Sequence, residues 1–106
     1  MPHFFSNFTY SINRITVTGN YTIDDSDCLI GCNHSGEITL TLPASNEVNV
    51  GRIYYIKDES GNASTNNIIV EGNGSETIDG NANITVSGDY DCLTIYCAGS
   101  GKWFVF

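Results

Sequence analysis

Apolar and polar residues alternate in three segments of the chain. Arg14-Ile-Thr-Val-Thr18 places Ile15 and Val17 on one side. Glu37-Ile-Thr-Leu-Thr-Leu42 does the same with Ile38, Leu40 and Leu42, and Asn83-Ile-Thr-Val-Ser87 repeats the pattern. A period of two is the signature of a strand with one face buried. Four further runs are apolar on both sides: Arg52-Ile-Tyr-Tyr-Ile-Lys57, Asn67-Ile-Ile-Val70, Cys92-Leu-Thr-Ile-Tyr-Cys97 and Lys102-Trp-Phe-Val-Phe106. A strand of that kind is covered on both faces. In so small a chain, the second cover could be another chain. Between the runs stand turn dipeptides, among them Gly19-Asn20, Ser35-Gly36, Asn73-Gly74, Asp79-Gly80 and Ser87-Gly88. Asn-Gly and Asp-Gly supply the positive φ that tight hairpins need. The pattern predicts an all-β fold, a small β-sandwich or β-roll of about eight to ten short antiparallel strands. The best helical window, 43–50, is weakened by Asn46 and Asn49 and reads as a loop with one turn. No internal repeat is apparent.

Composition narrows the function classes. The 106 residues, 11.5 kDa, suffice for one domain, divided as an aromatic lead-in over 1–13 and the β domain over 14–106. Charged residues make up only 15 %, so the polar surface falls to Asn, Ser, Thr and Gly, which suit turns and strands. Four basic residues against twelve acidic ones give a net charge of −8. Nucleic acid and anionic membrane both require a basic face and are poor partners. No apolar run is long enough to span a bilayer, and the first ten residues lack the basic and apolar regions of a secretion signal.

Catalytic chemistry finds little support. No nucleophile elbow, zinc-protease helix, phosphate loop or dinucleotide fingerprint occurs. Of the two histidines, His34 lies in the turn Cys32-Asn-His-Ser-Gly36 and reads as a satisfied loop residue. Asp24, Asp25 and Asp27 lack the ligand spacing and closing Glu of a calcium loop and read as turn acids. The cysteines fall at spacings C-x3-C (Cys28, Cys32) and C-x4-C (Cys92, Cys97). Residues four apart on a strand are ~13 Å apart, beyond the ~7 Å that a disulfide allows. Free thiols in the core, bridges between the two pairs and a metal site all remain open. N-x-S/T occurs at Asn7, Asn20, Asn33, Asn62, Asn73 and Asn83. Asn at turns followed by Ser or Thr in strands generates that motif without glycosylation. Neither a catalytic residue, a metal nor a cofactor is assigned.

Taken together, six segments resemble the small distal β domain of phage tail fibres and related viral appendage proteins. They are Ile15-Thr-Val-Thr-Gly-Asn-Tyr-Thr-Ile23, Ser35-Gly-Glu-Ile-Thr-Leu-Thr-Leu-Pro43, Gly51-Arg-Ile-Tyr-Tyr-Ile-Lys-Asp-Glu-Ser-Gly-Asn-Ala63, Thr65-Asn-Asn-Ile-Ile-Val70, Gly74-Ser-Glu-Thr-Ile-Asp-Gly80 and Gly99-Ser-Gly-Lys-Trp-Phe-Val105. Ser100 stands where the family has Asp, and the four cysteines are outside its pattern. The resemblance implies a non-enzymatic module of the virion surface, a homotrimer that caps a fibre and serves in host attachment. Ile53, Tyr55, Ile68, Val70, Leu93, Ile95, Trp103 and Val105 are then expected in the core or the trimer interface. Asp79 is expected to tie its own turn, and Lys57 with Asp58 to form an ion pair. The alternative reading is a monomeric carbohydrate-binding module, with Tyr90, Asp89 and Tyr96 as candidate glycan contacts beside an aromatic platform.

Overall fold

The computed structural model describes residues 11–106; most of the aromatic lead-in lies outside the described residues. Ten strands follow one another: β1 (Arg14–Val17), β2 (Tyr21–Thr22), β3 (Leu29–Cys32), β4 (Ile38–Thr41), β5 (Ile53–Asp58), β6 (Ile68–Glu71), β7 (Thr77–Ile78), β8 (Asn83–Val86), β9 (Cys92–Gly99) and β10 (Lys102–Val105). The fold is all-β, and 43–50 is a loop with turns. Two sheets form, one ordered β1-β3-β5-β9-β10-β7 and the other β2-β4-β6-β8.

The pairing corrects the expectation of antiparallel strands. Through β8 the chain visits the two sheets alternately, and from β3 to β6 each strand lies beside the strand two before it, in the same direction. β1 with β3, β3 with β5, β2 with β4 and β4 with β6 are all parallel. The chain is therefore wound in coils, each contributing one rung to either sheet. Coil length varies, which hides the repeat in the sequence. Arg14 lies opposite Leu29, 15 residues on, and Leu29 opposite Tyr55, 26 residues on. The far end is closed differently: β8 runs antiparallel to β6, β9 to β5 and β10 to β9.

Two tight turns carry successive positive φ values. Asp79 and Gly80 have φ of 50° and 81° and close a two-residue turn whose flanks, Ile78 and Asn81, bond each other. Ser100 and Gly101, at 54° and 77°, join β9 to β10. Successive positive φ values are the primed-turn geometry that matches strand twist. The Asp79 carboxylate does not tie its own turn, as the sequence suggested; it accepts from Val105 N at 3.1 Å and fastens β10, while backbone bonds between Ile78 and Asn81 close the turn.

The core lies between the sheets. Val17, Ile30, Cys32, Tyr54, Ile56, Leu93, Ile95, Cys97 and Trp103 come from the six-stranded sheet. Ile38, Leu40, Ile68, Val70 and Val86 come from the other. Trp103 and Tyr54 are fully buried, with ring centroids 5.9 Å apart. Each such side chain contributes about 1.5–3 kcal/mol by burial. Of the residues expected in core or interface, Ile68, Val70, Leu93, Ile95 and Trp103 are thus consumed by this chain's own core, and Val105 packs against it. Ile53 and Tyr55 point the other way.

Candidate functional site

Buried carboxylates organise the turns between the sheets. A coil crossing from one sheet to the other leaves backbone N–H groups outside any ladder, and each needs an acceptor. Asp58, at the inward-facing end of β5, is fully buried. Its Oδ1 accepts from Ser60 N, Ser60 Oγ and Gly61 N at 3.1, 2.9 and 3.0 Å. Its Oδ2 accepts from Ala63 N and Tyr90 N, both at 3.0 Å. Burial alone would raise the carboxyl pKa, but these donors outweigh it and hold it at about 2. Asp27 plays the same part at the 24–27 turn, accepting from Tyr21 OH at 2.7 Å and Asp24 N at 3.1 Å. Glu76 accepts from Ser45 N and Oγ, and Ser45 Oγ in turn accepts from Gly101 N. Part of the acidic excess is thus structural.

Asp58 lies beside His34 and Ser60, a trio with the residue types of a hydrolase triad. The wiring differs from one. A triad needs the carboxylate on the ring nitrogen remote from the serine. Here His34 Nε2 faces the carbonyl of Asn66 at 2.7 Å and so carries its proton there. Nδ1 is 3.1 Å from Ser60 Oγ, while Asp58 bonds the serine itself. Asn62 Oδ1 also lies 2.9 Å from that hydroxyl, and Asn62 Nδ2 donates to His34 O at 2.7 Å. The His34 and Asp58 side chains have no exposed surface. The group braces three loop segments around one buried point, and His34 is the satisfied loop histidine that its turn suggested. Two sequon asparagines are likewise engaged: Asn62 as above, and Asn20 through Thr39 N at 2.8 Å.

The expected pairing of Lys57 with Asp58 does not form. Consecutive strand residues point to opposite faces, so Asp58 turns inward and Lys57 outward, where Nζ donates to Tyr90 O.

The outward face of the six-stranded sheet gathers a different set. Register places Leu29, Tyr55 and Thr94 in one row and Ile53, Tyr96 and Phe104 in the next. Tyr96 packs on Phe104 and Phe106 at centroid distances of 5.8 and 5.4 Å. Phe104 is 36 % exposed and Phe106 63 %, so the aromatic group is open to solvent. Arg14, Lys57 and Lys102 stand on the same face, together with Glu59, which bonds Arg14 and lies over Gly31. That is three of the four basic side chains and one of the twelve acids.

The three candidate glycan contacts do not form one site. Tyr96 belongs to the aromatic group, while Tyr90 precedes β9, at least ~13 Å of strand away. Tyr90 is 60 % exposed and holds φ of 62°, an uncommon conformation for a bulky residue. Asp58 and Lys57 fix its backbone, and its ring lies over Gly61, where a Cβ would fall 2.3 Å from Cζ. Asp89 is occupied at least in part, accepting from Ser64 N at 2.9 Å.

All four cysteines are free thiols, with Cys32 and Cys97 buried, Cys28 half-buried and Cys92 exposed. Burial, with the charges of Asp58 and Glu59 adding to it, pushes the Cys32 thiol up to about 12. Titration of the native chain with a chromogenic disulfide is expected to modify Cys92 quickly and Cys32 and Cys97 only on unfolding. Rapid modification of all four would mean that the core opens readily. Among the described residues no group of three or more His, Cys, Asp or Glu side chains could hold a metal ion, and no helix is long and apolar enough to cross a membrane.

Comparison with family models and with curated proteins finds no match to this chain.

Proposed function

We propose that the chain is a non-enzymatic module of a phage-like fibre or appendage on the virion surface. It acts as a homotrimeric cap that presents polar loops for host attachment. The observation that carries this reading is the polarity of the coil. At one end the first rungs, β1 and β2, are edge strands of their sheets among the described residues. At the other end the parallel coil gives way to the antiparallel strands β8, β9 and β10, with the short β7 and β8 as the outer strands. Coiled folds modify their terminal rungs, because an ordinary rung left unmatched exposes backbone and apolar core. A coil whose last strands depart from the parallel pattern suits a terminal position in an elongated assembly. The resemblance of six segments to fibre-tip domains points the same way. The trio around Asp58 supports a non-enzymatic role, since His34 Nε2 is tied to the Asn66 carbonyl and Asp58 bonds Ser60 rather than the ring.

The test is solution mass by light scattering coupled to size exclusion. The expected value is three times the chain's 11.5 kDa, followed by binding of the trimer to host cells. A mass of one chain at all accessible concentrations would overturn the trimeric reading.

The second reading, a monomeric carbohydrate-binding module, is favoured by Tyr90. Its exposed ring rests on Gly61 with its backbone pinned, as a rigid stacking platform would require. Binding of a neutral saccharide to the single chain, lost in Tyr90→Ala, would support it.

A further inference from the structure

We infer that the outward face of the six-stranded sheet docks onto the acid-rimmed cleft of a second copy of this chain, head to tail. This deepens the assembly proposed above and rests on it.

The occupant follows from charge. Arg14, Lys57 and Lys102 make this face net positive on a molecule of net charge −8. No other acid stands at an outward position of β1, β3, β5, β9 or β10, and the remainder of another copy is a surface always available in complementary form. Two such faces meeting each other would oppose their own lysines and arginine, which disfavours a symmetric two-fold contact. Contact between unlike surfaces avoids that repulsion, and such contacts close into rings when the rotation allows.

The receiving surface is the cleft of about 430 Å³ between the 22–25 turn and the 43–47 loop. Asp24, Asp25 and Glu47 line it beside Ile23 and Pro43. That combination matches what Lys102, Phe104 and Phe106 offer in a row along β10: a cation followed by two exposed aromatic rings. Lys102 and Phe104 are two apart on β10 and share its outward side. Aromatic residues carry most of the energy of typical interfaces, and flanking charges set register and encounter rate.

The experiment uses the full chain and light scattering over a dilution series. Lys102→Glu with Phe104→Ser removes the donor corner. Asp25→Lys with Glu47→Lys reverses the cleft. Lys102→Glu with Asp25→Lys and Glu47→Lys exchanges the charge of Lys102 with those of Asp25 and Glu47 and retains Phe104. Far-ultraviolet circular dichroism confirms that each variant is folded. Each pair is expected to raise the concentration of half-dissociation at least tenfold, and the exchanged variant to recover most of that loss. Raising salt from about 0.05 to about 0.5 M should weaken the wild-type assembly. Folded variants that assemble like the wild type would overturn this interface and leave the assembly itself standing. Failure of the exchanged variant to recover would overturn the charge pairing. A wild-type chain that is monomeric throughout would overturn both.

Discussion

Asp58→Ala is expected to lower the unfolding free energy by about 3–5 kcal/mol. The substitution removes one carboxylate and orphans four backbone donors: Ser60, Gly61, Ala63 and Tyr90. Each buried N–H left without an acceptor costs about 1–3 kcal/mol, reduced where a loop can relax toward water. Ser60, Gly61 and Tyr90 lie on loops that can do so in part. Ala63 is fully buried and cannot without opening the core. A domain of this size has only about 5–15 kcal/mol in total, so the variant should unfold at markedly lower denaturant. Asp58→Asn keeps the shape and one oxygen and should fall between the two. Equilibrium urea unfolding is the measurement. A loss under ~1 kcal/mol for Asp58→Ala would mean that water takes over the loops, and that the carboxylate does not hold them.

The same group sets the acid limb of stability. Its folded pKa is held at about 2, against an ordinary value of 3.8. The folded state therefore binds the proton less readily than the unfolded one. The contribution is fully present above pH ~4 and is lost as the pH falls through the folded value. Asp58→Asn should flatten the stability profile across that interval. An unchanged acid limb in the variant would assign the limb to other carboxylates, of which Asp24, held low by Ser26, is one.

The strands were legible from the alternation because their burial is real. Ile38, Leu40 and Leu42 do face the core together, and so do Ile15 and Val17 with their neighbours. The direction of pairing was not legible. Gly19-Asn20 and Ser35-Gly36 turn the chain equally well into a hairpin or across to another sheet, and local turn chemistry does not choose. The coil repeat was hidden by its unequal loops. Asp79-Gly80 was read correctly because both of its positive φ values belong to the turn itself. The buried role of Asp58 escaped notice, since an acid at a strand end ordinarily looks solvated. The available signal was Asp58-Glu-Ser60-Gly61, a carboxylate two and three residues before N–H groups that it can accept from. The double-faced apolar runs were legible as runs, but their two faces have different fates, and only the register separates them.

Ile95→Asp and Tyr55→Asp should accordingly behave in opposite ways. Ile95 is fully buried, flanked by Tyr54 on β5 and Val105 on β10. A carboxylate there has no donor among these apolar partners and must either be desolvated unpaired or take up a proton. Either route costs several kcal/mol, in addition to the packing lost with the isoleucine. The chain should fail to fold as a single molecule, whatever its assembly. Tyr55 sits one strand away on β5 but points outward, between Leu29 and Thr94. A carboxylate at that position remains in contact with solvent and near Arg14 and Lys57. Its cost to the fold should be about 1 kcal/mol or less, the usual range for a surface change. Its cost to association should be large, because the docked face would have to bury it. Circular dichroism separates folding from association when read beside light scattering: Ile95→Asp should lose both signals, and Tyr55→Asp only the second. A folded Ile95→Asp would contradict the placement of β9 between β5 and β10. A folded Tyr55→Asp that assembles normally would take the outward face out of the interface and direct attention to the edges of β1 and β2.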